Sequence, residues 1–461
     1  MLRQSDGIAK YKLKRGIGLF EATLYGIGII LGAGIYALIG VGAGIAGNAL
    51  WLSFLIGAAI AAFTGFSYAE LSSMYPKEAA EYVYTKHAFR KNSLAFIVQW
   101  VMLFTGIVSV TAVALGFAGY WSFLFGGQIA LIAFLLIAVM SLINYFGISE
   151  SAKYNDISTI IETCGLLAII GLGIYYITRY DIFASVNFLS SPTGITGILT
   201  ATTVVYFAFI GFENLVNISE EAKNARKVIP KALLISLAIS ALIYVLVSVA
   251  AVAILGADAL SHSKAPLAEV AEKIVPGGSY VLSLIALFAT SNTVLILLIV
   301  SSRLLYGLAS NKMLPALFAH VGTRGTPFIS VITVGIFAAL GLLLGSIKSL
   351  AHLVDLGIFV VYIFVNLSVI ILRYREPGMK RAFKAPLNIG RFPMLAFLGL
   401  AANLGLLYYF DLRTFISGIL LSLAGFVIYL ILCKKAAKGA ELKVHNHKAR
   451  FHRNIVLKNK L

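Results

Sequence analysis

Charge is scarce in this chain: Asp, Glu, Lys and Arg make up 12% of its 461 residues, against 60% hydrophobic, with a mean hydropathy of +0.92. A water-soluble globular chain carries roughly twice that share of charge, so solubility in water is excluded. Long polar stretches are missing as well. The largest are the tail after Lys434 and the loop around 257–277, too little for a soluble domain. Only two cysteines occur, Cys164 and Cys433, which excludes a secreted-type disulfide framework and leaves two free thiols as the expectation. No HExxH, no GxSxG and no Cys/His cluster lies within the apolar runs, so the motifs of a membrane enzyme are absent. His445, His447 and His452 lie in the tail without cysteine or acidic partners at ligand spacing, so neither a metal site nor a cofactor is expected.

What the chain does have is apolar runs long enough to cross a hydrocarbon core about 30 Å thick as helices. Twelve are read, at 17–46, 49–74, 93–125, 129–147, 156–178, 195–219, 231–256, 278–310, 327–346, 349–373, 393–410 and 413–433. They define an all-α membrane protein with one transmembrane domain, 1–433, and a basic tail, 434–461. The first run is too long for a cleaved signal peptide, so the N-terminus is expected to be retained.

The formal net charge of +18 follows from topology. Of the 37 Lys and Arg residues, all but six fall in segments that face one side if the N-terminus is cytoplasmic; Arg179, Lys264, Lys273, Lys348 and Arg413 fall opposite, and Arg303 lies within a span. Both termini are therefore expected in the cytoplasm of a cell that carries this chain in its plasma membrane. No nucleic-acid partner is needed. The tail reads as a solvated segment obeying the orientation rule, with anionic lipid headgroups as the alternative contact.

Spans one to five (17–178) and six to ten (195–373) read as two copies in opposite membrane orientation, with 393–433 as two peripheral helices. Each copy carries an irregularity near mid-membrane in its first helix. In the first it is Gly32-Ala33-Gly34, and in the second Ile210-Gly211-Phe212-Glu213. An unpaired backbone N–H or C=O in hydrocarbon costs several kcal/mol, so a helix is interrupted only where protein, water or a ligand meets the freed groups. Glycine lets the backbone leave helical dihedrals and keeps side chains out of the way. The amides that start the half-helix after Gly32 suit a carboxylate, and carbonyls released in the sixth span suit an ammonium group. One amino acid zwitterion satisfies both. Gly28/Gly32 and Gly40/Gly44, at GxxxG spacing, read as helix-packing surfaces, and no dinucleotide fingerprint is present.

These blocks identify a resemblance. Gly32-Ala33-Gly34-Ile35-Tyr36, Tyr68-Ala69-Glu70-Leu71 with Pro76, Phe209-Ile210-Gly211-Phe212-Glu213 with Glu220 to Asn224 and Pro230, and Ser302-Arg303-Leu304-Leu305-Tyr306 with Pro315 resemble, in order over about 13–435, the prokaryotic amino acid permeases of the amino acid, polyamine and organocation transporter superfamily. The resemblance implies a 5+5 inverted repeat with discontinuous helices 1 and 6 plus two peripheral helices, working by alternating access. It implies a substrate carboxylate on the amides of Ala33, Gly34 and Ile35 beside Gly32. The amino group falls to carbonyls around Phe207, Ala208 and Ile210 beside Gly211, with Phe207 as the aromatic that closes over substrate. Two positions depart from the family pattern: Ala79-Ala80 replace a glycine pair, and Ala225 a proline.

Embedded acids are the candidates for ion coupling. Glu162 is the one charge in the run 157–177, where an ionised carboxylate costs roughly 2.5–3.5 kcal/mol or more, so it must bind a proton or find a partner. Several proton-coupled relatives place a lysine at the aligned position. Glu162 is read as a proton site, with a cation held together with Ser291 and Asn292 (sodium) as the alternative, or a protonated acid bonded to a neighbouring helix. Glu213 is expected to link the broken segment to neighbouring helices or to join a proton path. Glu70 and Asp355 are read as caps or gates near span ends, Glu21 as a complement to its helix dipole. Arg303 is read as inward-facing, tying helices together or snorkelling. With Glu162 and Glu213 assigned to coupling, neutral or broad-range amino acids are the expected substrates. Cationic amino acids or polyamines handled by exchange, or a channel or non-transporting sensor, remain the alternatives.

Overall fold

A computed structural model describes residues 17–77, 80–146, 148–182, 186–219, 222–310, 313–322 and 326–431. Ala79, Glu220, Glu221, Lys312, Arg324, Cys433, the first sixteen residues and the basic tail lie outside the described residues. The described chain is almost entirely helical. In order, the helices are α1 (Leu19–Leu31), α2 (Ala33–Ala46), α3 (Leu50–Met74), α4 (Ala80–Phe89), α5 (Asn92–Phe125), α6 (Ile129–Phe146), α7 (Ile148–Tyr180) and α8 (Gly194–Val205). Then come α9 (Ala225–Leu255), α10 (Ala257–His262), α11 (Pro266–Ile274), α12 (Gly278–Ser310), α13 (Phe328–Gly341), α14 (Ile347–Arg375), α15 (Met394–Leu407) and α16 (Leu412–Ile431).

Among the described residues nine helical stretches are long and apolar enough to cross a membrane, and two shorter apolar helices, Phe328–Leu344 and Met394–Leu407, accompany them. The protein is thus a multi-pass, all-α membrane protein. The first stretch, Leu19–Met74, is 56 residues long and would measure about 84 Å if straight, far beyond one bilayer. It is folded back by a short turn of 3₁₀ helix at Gly47–Ala49 and is interrupted at Gly32. The seventh span begins at Ala225, six residues before the run read from hydropathy, because Pro230 is accommodated in the helix rather than ending it. Outside the spans the sequence reading missed α4, the helices α10 and α11 in the stretch 257–277 read as a loop, and a two-residue antiparallel hairpin pairing Asn388–Ile389 with Phe392–Pro393.

On the outside the packing is the reverse of a soluble protein's. Large apolar side chains such as Leu131, Phe134, Ile336, Phe337, Ile419 and Leu423 are exposed, on helices α6, α13 and α16, where lipid would cover them. The interior is a continuous apolar core that also holds the polar groups. Seven tyrosines (36, 68, 84, 120, 206, 244 and 362) are fully buried, an apolar body with one polar tip each. α1 and α3 pack on α9, α2 on α8, and α5 on α12 and α14, so the two interrupted segments meet at the centre of the bundle.

Candidate functional site

The first interruption is a single residue. Gly32 (φ −32°, ψ −151°) leaves helical dihedrals between α1 and α2, and helix resumes at once at Ala33. The second is longer. After α8 the chain tightens to 3₁₀ helix over Tyr206–Phe209, Ile210 is extended, and Gly211 takes φ 127°, where L side chains are strained. A second 3₁₀ helix, Phe212–Ile218, follows. The two breaks press on each other through their glycines. A Cβ on Gly34 would lie 2.4 Å from the Cα of Ala208, and one on Gly211 would lie 2.8 Å from the carbonyl oxygen of Ile29. Glycine is required at both positions because the opposing atoms are backbone.

Between the breaks lies a cavity of about 30 Å³, lined by Gly32, Ala33 and Gly34 from one side and by Phe207, Ala208, Ile210 and Gly211 from the other. Thr293 of α12, Ser109 of α5 and Asn214 complete its polar lining. Seven of the eight substrate-site residues read from the sequence therefore surround one space. The eighth, Ile35, is buried one turn into α2 and does not line it. The space admits a water molecule or two but not a whole amino acid.

The freed backbone groups have partners in this conformation. The Ala33 amide donates to Oγ1 of Thr293 at 3.0 Å, and the Phe207 carbonyl accepts from the Ile210 amide at 3.2 Å. The hydroxyl of Tyr244, from α9, sits between the carbonyls of Ile30 and Ala208, 3.0 Å from the latter, and so ties both breaks with one proton. The Gly211 amide donates to Oε2 of Glu213 at 2.9 Å, and the same oxygen accepts from the Tyr362 hydroxyl at 2.8 Å. Glu213 thus joins the broken segment to α14. Neither Thr293 nor Tyr244 was singled out from the sequence. Their helices are apolar on every side, so hydropathy gives no inward face, and only the partner atoms identify them.

Glu162, on α7, is fully buried and neither carboxylate oxygen has a hydrogen-bond partner. Tyr36 donates to its backbone carbonyl at 3.1 Å, and Tyr36 and Tyr244 lie close enough to interact with its charge. Neither Ser291 nor Asn292 is hydrogen-bonded to this carboxylate. Asn292 donates to Asn155 at 3.1 Å, and the Ser291 hydroxyl to the Phe288 carbonyl at 3.0 Å.

The remaining acids sort differently from one another. Glu70 is held by Arg373 at 2.6 and 2.5 Å, by Arg381 at 3.2 Å and by the Ala385 amide at 3.0 Å, a buried tie between α3, α14 and the segment that leads from α14 to the hairpin. Asp355, read as a cap or gate near a span end, is instead fully buried beside the backbone of Phe207, with no side-chain partner on either oxygen. Glu21 caps its helix by accepting the Gly18 amide at 2.9 Å. Arg303, read as inward-facing, is exposed, and Cys164 is a free, exposed thiol.

An interrupted helix pair around a central cavity in an all-helical membrane protein is the arrangement of a carrier, and the sequence comparison is specific about which. The amino acid permease family profile matches residues 17–433, and the chain belongs to that family, whose members are transporters rather than enzymes. Among curated relatives, it is similar to the branched-chain amino acid permease BcaP of Bacillus subtilis, 30% identical over 92% of this chain and 94% of that protein. The methylthioribose transporter of the same organism is 28% identical with the same coverage. A vacuolar cationic amino acid transporter 4 of Arabidopsis thaliana is 28% identical over 82% of this chain and 66% of its own length.

Proposed function

We propose that the protein is a secondary active amino acid transporter of the plasma membrane, working by alternating access and driven by protons, with both termini cytoplasmic. In this reading twelve crossings build it: Leu19–Met74 counts as two and each shorter apolar helix as one. Residues 17–178 and 195–373 form a 5+5 inverted repeat, and 393–433 two peripheral helices. The substrate carboxylate replaces the Thr293 hydroxyl on the Ala33 amide and extends to the amides of Gly34 and Ile35. Its ammonium group is accepted by the carbonyls of Phe207, Ala208 and Ile210, and Phe207 closes over it. Glu162 carries the coupling proton, Glu213 communicates the state of the broken segment to α14, and Ser291 and Asn292 belong to a cation site only if sodium replaces the proton.

The observation that carries the reading is the mutual contact of the two breaks, Gly34 on Ala208 and Gly211 on Ile29. Two interrupted helices in backbone contact around a small central cavity are what a carrier needs when it encloses a small zwitterion and then parts on one side. The name of one relative, a branched-chain amino acid permease, supports neutral or broad-range amino acids. A second reading, cationic amino acids or polyamines, is favoured by Asp355, a buried acid beside Phe207 with free acceptor capacity, and by the relatives named as cationic transporters.

Counterflow in proteoliposomes tests the class: labelled amino acid accumulates against preloaded unlabelled substrate in a carrier and does not in a channel or sensor. Thermal stabilisation of the purified protein by each common amino acid and by polyamines, at acidic and neutral pH, ranks the substrates. Stabilisation by leucine, isoleucine or valine supports the first reading. Stabilisation by arginine, lysine or a polyamine that is lost in Asp355→Asn supports the second.

A further inference from the structure

One buried acid outside the spans has no part in the site just described. Glu81 lies on the first turn of α4, the helix that connects the second and third apolar helices and packs against α5 and α14. A charged residue on a connecting helix normally turns to water, yet Glu81 is fully buried. Its Oε1 accepts the Tyr68 hydroxyl at 3.0 Å, and its Oε2 has no hydrogen-bond partner. The hydroxyls of Tyr84 and Thr85, one turn along, are also buried without partners. A carboxylate in such a place is costly unless a cation answers it or a proton neutralises it.

Among the described residues no cation is ion-paired or hydrogen-bonded to Glu81. From α3 come Tyr68 and Glu70, the latter already holding Arg373 and Arg381. From α14 come Tyr362 and Arg375, whose guanidinium donates to the Ala88 carbonyl at 2.7 Å. α5 contributes Gln99, which accepts the Tyr82 amide at 3.2 Å. On α4 itself Lys86 lies over the ring of Tyr82 and His87 stacks on Tyr75. From the broken segment comes another acid, Glu213, near enough for the two charges to interact. One aromatic cluster joins them: the ring of Tyr68 meets those of Tyr362 at 5.8 Å and Phe212 at 5.7 Å, and Tyr362 donates to Glu213. Burial, with the like charge of Glu213 adding to it, pushes Glu81 up to about 7, against opposing hydrogen bonds from its own backbone and Tyr68.

We propose that Glu81 and Glu213 hold one proton between them, and that Glu81 is the member that exchanges it with the cytoplasm, making α4 the proton-release element of the transport cycle. This rests on the proton-coupled reading of the previous subsection. Two carboxylates in one dry cluster cannot both be ionised cheaply, so the first proton binds to the pair. Its transfer breaks one carboxyl O–H bond and forms another, with no further reactant. Glu213 senses the broken helix through the Gly211 amide, and Glu81 lies on the element nearest the loop between the second and third spans. The pair therefore links the substrate site to one face of the membrane.

The test compares full-length wild type, Glu81→Gln and Glu81→Asp, reconstituted in liposomes with the α4 side facing the lumen. Wild type should show net uptake that depends on lumenal pH around about 7. Glu81→Gln should keep counterflow within about twofold while its uptake loses that dependence, because exchange needs no net proton movement. Glu81→Asp should retain a dependence at a shifted midpoint. An independent readout is thermal stability against pH. An acid held above its ordinary 4.5 in the folded state stabilises the protein at low pH, and that contribution is lost as pH rises through about 7. Glu81→Gln should therefore be more stable than wild type at about pH 8 and similar to it at about pH 5. Identical lumenal pH profiles for wild type and Glu81→Gln overturn the proposal, as does a Glu81→Gln stability curve parallel to that of wild type. If wild type itself exchanges amino acid with no pH dependence of net uptake, the proton-coupled reading fails first, and the stability curves still report whether Glu81 titrates.

Discussion

The two interrupted helices meet at one point but are broken by different means. At Gly32 a single residue leaves helical dihedrals, α-helix continues on both sides, and the exposed amide is met by a side chain from another helix, Thr293. At Gly211 the helix tightens well before the break and stays tight after it, and the exposed amide is met by the segment's own Glu213. The first break is a sharp joint between two stiff rods, whereas the second is a stretch of poorer hydrogen-bond geometry with an acid built in. A joint of the first kind can swing a half-helix as a unit. One of the second kind can change its own hydrogen bonding, and Glu213 ties it to α14 through Tyr362.

The contact between the joints gives the largest expected effects. Gly34→Ala places a Cβ 2.4 Å from the Ala208 backbone, which neither segment can relieve without moving apart, so a loss of about 3 kcal/mol or more and near-complete loss of uptake are expected. Ala208→Gly should fail to rescue it, because the clash is with the Cα. Gly211→Ala combines a left-handed φ of 127° with an approach to the Ile29 carbonyl and should behave alike. Uptake in cells and thermal stability in detergent measure both. A Gly34→Ala protein with wild-type uptake would mean that the joints work apart rather than in contact.

The acids sharpen the same contrast at a smaller scale. Glu213 is fixed by two donors on one oxygen, and Glu162 by none on either. Glu213→Gln turns an acceptor of two donors into a group that must present its own N–H₂ nearby, and a loss of about 1–3 kcal/mol is expected. Glu162→Gln removes no hydrogen bond, so it should destabilise less than Glu213→Gln while the pH dependence of uptake flattens. Equal destabilisation of the two variants would show that Glu162 has a structural partner in the working protein.

Much of this was legible because membrane helices leave few choices. The apolar runs located the helices, and the glycines with their neighbouring acid located both breaks, since backbone polarity in hydrocarbon makes such residues conspicuous. The partners that complete the site were not legible. Thr293 was passed over for Ser291 and Asn292 on the same helix, because a helix apolar on all faces has no periodicity to mark which side looks inward. Asp355 was misplaced for a related reason: its distance along the chain from the span end says nothing about whether the helix around it is covered. Glu81 was invisible because a short polar helix between spans reads as a solvated loop, and only its burial against α5 and α14 gives it significance.

Thr293 offers the finest test of the first joint, because it predicts opposite signs for stability and binding. Its hydroxyl accepts the Ala33 amide and so competes with the carboxylate proposed to take that amide. Thr293→Val keeps the shape and removes the competitor. Thr293→Val removes the bond from the Ala33 amide and the one its hydroxyl donates to the Ala289 carbonyl, so the protein should lose about 1–2 kcal/mol, while substrate binding tightens by about fivefold, the Ala33 share of that energy returned on the binding side. Thr293→Ser, which keeps the hydroxyl, should change neither by much. Titration of the preferred amino acid into the purified variants reads both quantities. If Thr293→Val instead weakens binding, the hydroxyl is part of the carboxylate's own site, and the first joint holds substrate with a side chain as the second does with Glu213.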